Sequence, residues 1–116
     1  MTMIVAPGTV VFVGADEFGS VVVTPCGELD VASAPTLLAL LRQAISTRPP
    51  RIVLDLSSVE FLDSTGCDAL AVAWRDARAV GVRVALCDEL APLVRRVLAV
   101  TMLSPVFDPV WPSPRR

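Results

Sequence analysis

The chain has 116 residues, of which 53% are hydrophobic, and its 10 basic and 12 acidic residues give a formal net charge of -2 at pH 7. This length is typical of one domain, and the balanced charge leaves no electrostatic footprint for direct nucleic-acid binding. The chain has no histidine, and all its basic residues are arginines. These absences exclude Ser-His-Asp and Cys-His catalysis, imidazole metal sites and a phosphate loop that needs lysine. We therefore predict a protein that is not an enzyme, with no catalytic residue, metal or cofactor.

The first part of the chain predicts an antiparallel hairpin. Thr9 to Val13 and Val21 to Cys26 are β-branched runs, and residues 14–19 between them contain two glycines. Residues 1–6 carry no basic residue and lead into Pro7-Gly8, which does not resemble a signal peptide. No run reaches the roughly 20 apolar residues of a membrane span. We expect a cytoplasmic domain without membrane insertion.

Strands and helices then alternate. A first helix begins at Ser33 or Ala34, with Pro35 in its first turn, and Arg51 to Leu56 forms a strand buried at the centre of the sheet. The expected inward faces of the three helices are Leu37, Leu38, Leu40, Leu41 and Ile45; Cys67, Leu70, Ala71, Trp74 and Ala77; and Leu93, Val97 and Val100. On this pattern we expect Trp74→Ala to cost roughly 3 to 5 kcal/mol of stability.

The end of the chain completes the predicted fold. Val82 to Cys87 is a strand, Glu89 to Val100 a helix, and Val106 with Phe107 a last strand. The alternation predicts an α/β fold of about five strands, with an antiparallel hairpin first, parallel pairing afterwards and helices mainly on one side. The domain spans residues 1–108, and the proline-rich residues 109–116 form a flexible tail.

Two polar motifs follow predicted strands, and both precede helices. One is Gly27-Glu28-Leu29-Asp30, and the other is Asp63-Ser64-Thr65-Gly66. The simpler interpretation of the second motif is helix capping, with Asp63 or Thr65 as N-cap and Asp68 completing a capping pair with Thr65. The alternative is a phosphate switch, because a helix N-terminus offers free N-H donors and the positive end of its dipole.

The two motifs, in this order, resemble those of the STAS domains, specifically the stand-alone anti-sigma factor antagonists of bacteria. The family pattern has a Gly-Glu-Leu-Asp-like turn and then Phe-x-Asp-Ser-Ser/Thr-Gly, here Gly27 to Asp30 and Phe61 to Gly66. The resemblance implies that Ser64 accepts the phosphate, and that Thr65 mainly caps the helix. Its implied partner-binding residues are Gly27, Glu28, Asp30, Asp63, Ser64, Thr65, Gly66 and Asp68. We expect Asp30 and Asp63 to orient the Ser64 hydroxyl.

The resemblance also implies a function. The unphosphorylated protein binds an anti-sigma factor, a serine kinase that brings ATP, and so frees a sigma factor for transcription. Phosphorylation of Ser64 releases the partner, and a phosphatase reverses the switch. The alternative is a non-catalytic STAS subunit that docks on the ATPase of a membrane transporter, for which Ser64 needs no phosphate.

Two features add to this picture. Gly66-Cys67-Asp68 stands where the family has Gly-Leu-Gly, so we expect an extra acid in the first helical turn, where it repels a phosphate on Ser64. Cys67 is predicted to be a buried hydrophobe. Cys26 and Cys87 are predicted at one edge of the sheet, and a reversible redox bond among the three cysteines is the alternative.

Overall fold

The computed structural model of the chain describes residues 2–87, 90–100 and 108–111. Seven strands and three helices lie in this part. The strands are β1 (Thr2–Ala6), β2 (Thr9–Ala15), β3 (Val21–Leu29), β4 (Arg51–Leu54), β5 (Val59–Leu62), β6 (Arg83–Cys87) and β7 (Asp108–Trp111). The helices are α1 (Ala34–Ser46), α2 (Ser64–Ala79) and α3 (Pro92–Val100).

All seven strands belong to one sheet. Its order is β1-β2-β3-β4-β6-β7, and β5 pairs with β3 outside this order. Strand β2 is antiparallel to both of its neighbours, β1 and β3, whereas the other pairings, β3 with β4 and β5, and β6 with β4 and β7, are parallel. The predicted α/β class with an antiparallel start is confirmed. The sheet has more strands than predicted, because β1 and β5 are short and were not recognised in the sequence.

Helices α1 and α2 pack on each other and cover one face of the sheet. Leu37 of α1 and Leu70 of α2 belong to the same buried cluster as Ile52 and Leu54 of β4. Val53, between those two, is also buried at 1% exposure, although it points to the opposite face. Strand β4 is therefore the buried centre of the sheet, as its uninterrupted apolar run predicts.

Strand β3 divides its length between two parallel neighbours. Val23 pairs with Leu54 of β4, and further along Leu29 pairs with Leu62 of β5. The predicted strand from Arg51 to Leu56 is therefore too long, and the strand that leads into Ser64 is β5 rather than the central strand. After β4, which pairs with the first part of β3, the chain turns away from β3. Strand β5 then brings it back to pair with the last part of β3.

The turn over residues 55–58 makes this departure possible. The Asp55 N-H donates to the carbonyl of Val23 at 2.9 Å, and the Gly27 N-H donates to the carbonyl of Ser58 at 3.0 Å. Within the turn, the Asp55 carboxylate accepts hydrogen bonds from the N-H and hydroxyl of Ser57 at 3.0 and 2.6 Å. These bonds satisfy backbone groups that the two strands cannot, so the sheet continues across the gap.

Strand β7 extends the sheet beyond the predicted end of the domain. It pairs in parallel with β6. The assignment of residues 109–111 to a tail is therefore wrong, because a proline such as Pro109 is compatible with an edge strand, where its missing N-H need not find a partner. The predicted strand residues Val106 and Phe107, and residues 112–116 of the predicted tail, lie outside the described residues.

The inward face of α3 is shifted by one position from the prediction. Val94 and Leu98 are completely buried, whereas Leu93 is 47% exposed. Val97 is partly buried against the core cluster, and the helix begins at Pro92 rather than at the predicted Glu89. The side chain of Val100 lies outside the described part.

The inward face of α2 is built from smaller residues than predicted. Cys67, Leu70 and Ala77 are buried as expected, Ala69 and Ala73 are buried as well, and the predicted inward residue Ala71 is only partly buried. Trp74 is partly buried at the margin of the core cluster, and the Arg78 guanidinium lies 5.3 Å from its ring centroid. Trp74 thus contacts the core cluster, but it is not fully buried there as the prediction expects.

The start of α2 is fixed by Asp63. Its backbone is extended, and its carboxylate accepts a hydrogen bond from the Gly66 N-H at 3.0 Å. Its carbonyl accepts from the Cys67 N-H at 3.0 Å. The helix begins at Ser64, as predicted. Thr65 is already the second helical residue, so its predicted role as the cap, and its capping pair with Asp68, are wrong.

Gly66 allows this first turn to touch the end of β3. A methyl group at Gly66 would lie 2.6 Å from the carbonyl oxygen of Leu29 and 2.6 Å from Cδ1 of Leu62. The first of these atoms belongs to the backbone of the sheet and cannot move aside cheaply. Gly66 therefore sets the distance between α2 and the sheet.

We expect Asp63→Ala to lower the free energy of unfolding by about 1 kcal/mol, within the usual range of 0.5 to 2 for a lost N-cap. Thr65→Ala is the matched control, and we expect it to change stability by less than about 0.5 kcal/mol. Urea unfolding followed by circular dichroism measures both. A larger loss for Thr65→Ala than for Asp63→Ala would show that the helix starts elsewhere.

We expect Gly66→Ala to destabilise the fold by roughly 1 to 3 kcal/mol, as overpacking does, although alanine is the better helix former by about 1 kcal/mol. Ser64→Ala, a substitution at an exposed position two residues earlier, serves as the control. It should leave the midpoint of urea unfolding almost unchanged. If Gly66→Ala is as stable as the unmodified protein, the close approach of α2 to β3 is incorrect.

Candidate functional site

The exposed rim at the carboxyl ends of β3 and β5 brings the two sequence motifs together; we define it as residues 27–30 and 63–66. Leu29 pairs with Leu62, and the Asp63 N-H donates to the Leu29 carbonyl at 3.3 Å. Asp30 and Asp63 therefore leave neighbouring strands at the same level, about 4.8 Å apart in the direction of strand pairing. The carboxyl ends of parallel strands are where open α/β sheets commonly bind.

Ser64 is the most accessible hydroxyl of the rim. It is exposed, it opens α2, and its hydroxyl forms no hydrogen bond with the described residues. Asp63 already occupies the N-H groups of Gly66 and Cys67, which leaves those of Ser64 and Thr65 as the donors nearest the hydroxyl. Donors and helix dipole together favour an anion at this position. The Asp63 carboxylate does not orient the hydroxyl, because it caps the helix.

Asp30 shapes the rim from the other strand. Its carboxylate accepts hydrogen bonds from the N-H groups of Ala32 and Ser33 at 3.0 and 3.3 Å. The Ser33 hydroxyl in turn donates to the carbonyl of Glu28 at 2.6 Å. These bonds form the turn between β3 and α1, so Asp30 acts in the turn and makes no hydrogen bond to Ser64.

Gly27 and Glu28 belong to β3 itself rather than to a turn after it. The register of β3 with β5 shifts between them, which marks the bulge where β3 changes neighbours. Gly27 has a φ of 115°, and a methyl group there would lie 2.4 Å from the carbonyl oxygen of Gly8. The turn between β1 and β2 can therefore approach the rim only because residue 27 is glycine. Glu28 is exposed beside it.

Asp68 lies four residues after Ser64 on the same side of α2, and both side chains are exposed. Residues at this spacing have Cβ atoms about 5 to 6 Å apart. Asp68 is in the second turn rather than the first, as the helix begins at Ser64. The expected repulsion between Asp68 and a phosphate on Ser64 depends on this four-residue spacing. It therefore still applies although Asp68 lies in the second turn.

A shallow, largely apolar groove runs between α1 and α2 beside the rim. Its volume is about 270 Å³, and it is lined by Ala34, Pro35, Leu38, Thr65, Asp68, Ala69 and Val72. Thr65 is half-buried at its edge. The groove gives an apolar side chain of a bound protein a place within one helical turn of Ser64.

Two exposed apolar residues that flank the rim are not among the partner-binding residues expected from the sequence. Val31, directly after Asp30, is 72% exposed, and Phe61 on β5 is 41% exposed. A signal was present for Phe61, since Val59 and Leu62 face inward and leave the two residues between them outward. Exposed apolar residues at the edge of a polar motif are common in protein interfaces.

The three cysteines are all free thiols. Cys67 and Cys87 are buried, at 4% and 0% exposure, and Cys67 belongs to the core as predicted. Cys26 and Cys87 lie on strands separated by β4, so their backbones are about 9 to 10 Å apart or more, beyond the roughly 7 Å that a disulfide spans. A bond between these two would require the sheet to move.

Neither a metal site nor a membrane span occurs in the described part of the chain. No three histidine, cysteine or carboxylate side chains there are grouped so as to hold a metal ion. Its helices are too short or too polar to cross a bilayer.

Comparison with known proteins identifies relatives in sequence. The STAS domain profile matches residues 10–115. The anti-sigma-F factor antagonist RsfB of Mycobacterium tuberculosis is 36% identical over 66 residues, which are 57% of this chain and 54% of the relative. The chain thus spans about half the length of the curated relatives it matches.

Solved structures agree with the fold. An anti-sigma factor antagonist from Mycobacterium paratuberculosis superposes with a TM-score of 0.76 at 31% identity, over 92% of this chain and 88% of the other. The anti-sigma factor antagonist SpoIIAA in its unphosphorylated form gives a TM-score of 0.71 at 25% identity, over 84% and 85% of the two chains. The profile match covers most of the sequence, and these structures agree with it, so the resemblance to STAS domains is confirmed. The chain belongs to the STAS domain family.

Proposed function

We propose that this chain is an anti-sigma factor antagonist, which binds an anti-sigma factor when Ser64 carries no phosphate and is released when Ser64 is phosphorylated. The observation that carries the proposal is the Ser64 hydroxyl itself. It is exposed, free of hydrogen bonds within the described residues, and placed on the first residue of α2. A hydroxyl in that setting can be modified without disturbing the cap or the core.

The relatives support the first part of the proposal. Those reported above are named as anti-sigma factor antagonists, and the description of SpoIIAA as unphosphorylated points to a protein that also takes a phosphate. None of these names is that of a transporter subunit. They favour the antagonist over the alternative of docking on a transporter ATPase.

We propose further that the anti-sigma factor is a serine kinase that brings its own ATP. The chain has no glycine-rich phosphate loop and no lysine to hold a nucleotide. In the transfer, the Ser64 oxygen bonds to the γ-phosphorus of ATP, the bond from that phosphorus to the β-γ bridging oxygen breaks, and ADP leaves. The hydroxyl proton passes to a base of the kinase, since this chain has no histidine and the adjacent Asp63 carboxylate caps the helix instead of bonding to the Ser64 hydroxyl. A phosphatase restores the free hydroxyl.

Charge accounts for the release. A phosphate on Ser64 adds about 1.5 to 2 negative charges next to Asp63 and on the same helix side as Asp68. The helix N-terminus stabilises this charge while the surface is in water. In a complex the phosphate loses water, and the two carboxylates oppose it more strongly in the lower dielectric. The bound state is therefore destabilised more than the free state.

We expect Ser64→Glu to weaken binding to the anti-sigma factor by about tenfold or more, and Ser64→Ala to bind normally but resist release by ATP. Titration calorimetry with each anti-sigma factor of the source organism, with and without ATP, measures both effects. Thr65→Ser is the control, because it keeps a hydroxyl at the edge of the groove and should behave as the unmodified protein. Ser64→Glu binding as tightly as the unmodified protein would contradict the switch.

The role of Asp68 can be measured separately. If like charge drives the release, Asp68→Asn should recover part of the affinity that Ser64→Glu loses, about threefold to tenfold, while changing the affinity of the unmodified serine much less. Asp76→Asn, on the same helix but far from the rim, is the matched control. Additive effects of the Ser64 and Asp68 substitutions would show that the two positions do not interact.

A further inference from the structure

Strand β1 forms one outer edge of the sheet. It pairs with β2 along its whole length, from Thr2 opposite Val13 to Ala6 opposite Thr9, and no strand of the described part pairs with its other side. An edge strand presents unpaired N-H and C=O groups along its free side, which can accept another strand. The STAS profile begins at residue 10, so β1 precedes the matched region.

Both faces of this edge are apolar and open. Met3 and Val5 point to the face that α1 and α2 do not cover, and they are 59% and 70% exposed. On the helix side, Ile4 lines a groove of about 380 Å³ together with Leu40 of α1. A strand laid along β1 would cover apolar surface on either side of the sheet.

The edge also lacks the devices that usually prevent strand addition. Thr2 to Ala6 contains no charged residue, proline or glycine. The opposite edge strand, β7, contains Asp108 and Pro109, a charge and a proline of the kind that protects edges. With no charge on β1, a partner needs no counter-charge and an identical strand meets no repulsion.

We propose that two copies of this chain associate through β1, antiparallel to each other, so that their sheets become continuous. The strand is self-complementary when Ile4 faces Ile4 of the second copy. In that register Met3 of each copy lies opposite Val5 of the other, and the most exposed apolar side chains of the edge cover one another. The arrangement is a two-fold symmetric interface that uses the same surface on both copies.

The interface is small. Each strand has five residues, and stable complexes bury about 1,600 Å² in total. We therefore expect a weak, reversible dimer that forms at micromolar concentrations or above. The inference does not rest on the proposed function, because it uses none of the rim residues 27–30 and 63–66.

Sedimentation velocity of the full chain, from about 1 µM to about 1 mM, tests the proposal over the range in which such weak association is visible. The unmodified protein should shift from monomer to dimer as its concentration rises. Val5→Lys should raise the dimer dissociation constant about tenfold or more, since a lysine is a natural edge protector. Phe18→Lys is the matched control: Phe18 is 66% exposed but lies in the hairpin turn, and this variant should dimerise normally.

The register has its own test. The double variant Met3→Glu with Val5→Lys should regain dimerisation relative to Val5→Lys alone, because each introduced carboxylate then faces an introduced ammonium group across the interface. A monomer at every concentration would overturn the proposal. So would equal dimerisation of Val5→Lys and the unmodified protein, or equal loss in Val5→Lys and Phe18→Lys. Failure of the double variant to recover would overturn the register centred on Ile4.

Discussion

Helix α2 meets the end of strand β3 at Gly66, where even one added methyl group would lie 2.6 Å from the carbonyl oxygen of Leu29. This contact requires glycine, and it sets where the helix starts. The same carbonyl accepts the Asp63 N-H at 3.3 Å, so β5 and α2 are held at one point. With Asp63 capping the helix, the next residue, Ser64, is the first residue of α2 and is exposed. The contacts of Asp63 and Gly66 therefore leave the Ser64 side chain exposed.

The division of β3 between two neighbours gives the rim its shape. If β4 continued along β3 to its end, the chain would reach α2 from the buried centre of the sheet. Instead the turn closed by Asp55 takes the chain out after β4, and β5 returns it beside Leu29. Asp30 and Asp63 then emerge from adjacent strand ends. Their carboxylates serve the turn and the cap, which leaves the serine hydroxyl free for a partner.

Much of this arrangement could be predicted from the sequence, because local chemistry determines it. The Asp-Ser-Thr-Gly motif predicts a helix start, and the apolar run in β4 predicts a buried strand. The choice between Asp63 and Thr65 as cap could not be made locally, since both side chains can accept the bond. The close contact of Gly66 with Leu29 of β3 fixes where the helix starts. This contact joins residues far apart in the sequence, so no periodic pattern of residues predicts it.

Other differences have the same origin. The burial of Val94 rather than Leu93, and the partial burial of Trp74, depend on how each helix is rotated against the rest of the fold, which apolar spacing alone does not specify. Strand β1 could not be predicted from residues 2–6 alone, because five uncharged residues show no pattern that distinguishes a strand from an irregular segment. Its pairing with β2 depends on a hairpin partner, and β5 likewise depends on the division of β3.

Locating the phosphate is the most direct measurement. After incubation of the protein with ATP and the anti-sigma kinase that we propose as its partner, trypsin should release the peptide from Ile52 to Arg75, which contains Ser57, Ser58, Ser64 and Thr65. Fragmentation mass spectrometry of this peptide distinguishes the four hydroxyls. The account predicts phosphate on Ser64 alone. Phosphate on Thr65, Ser57 or Ser58 with Ser64 unmodified would contradict it.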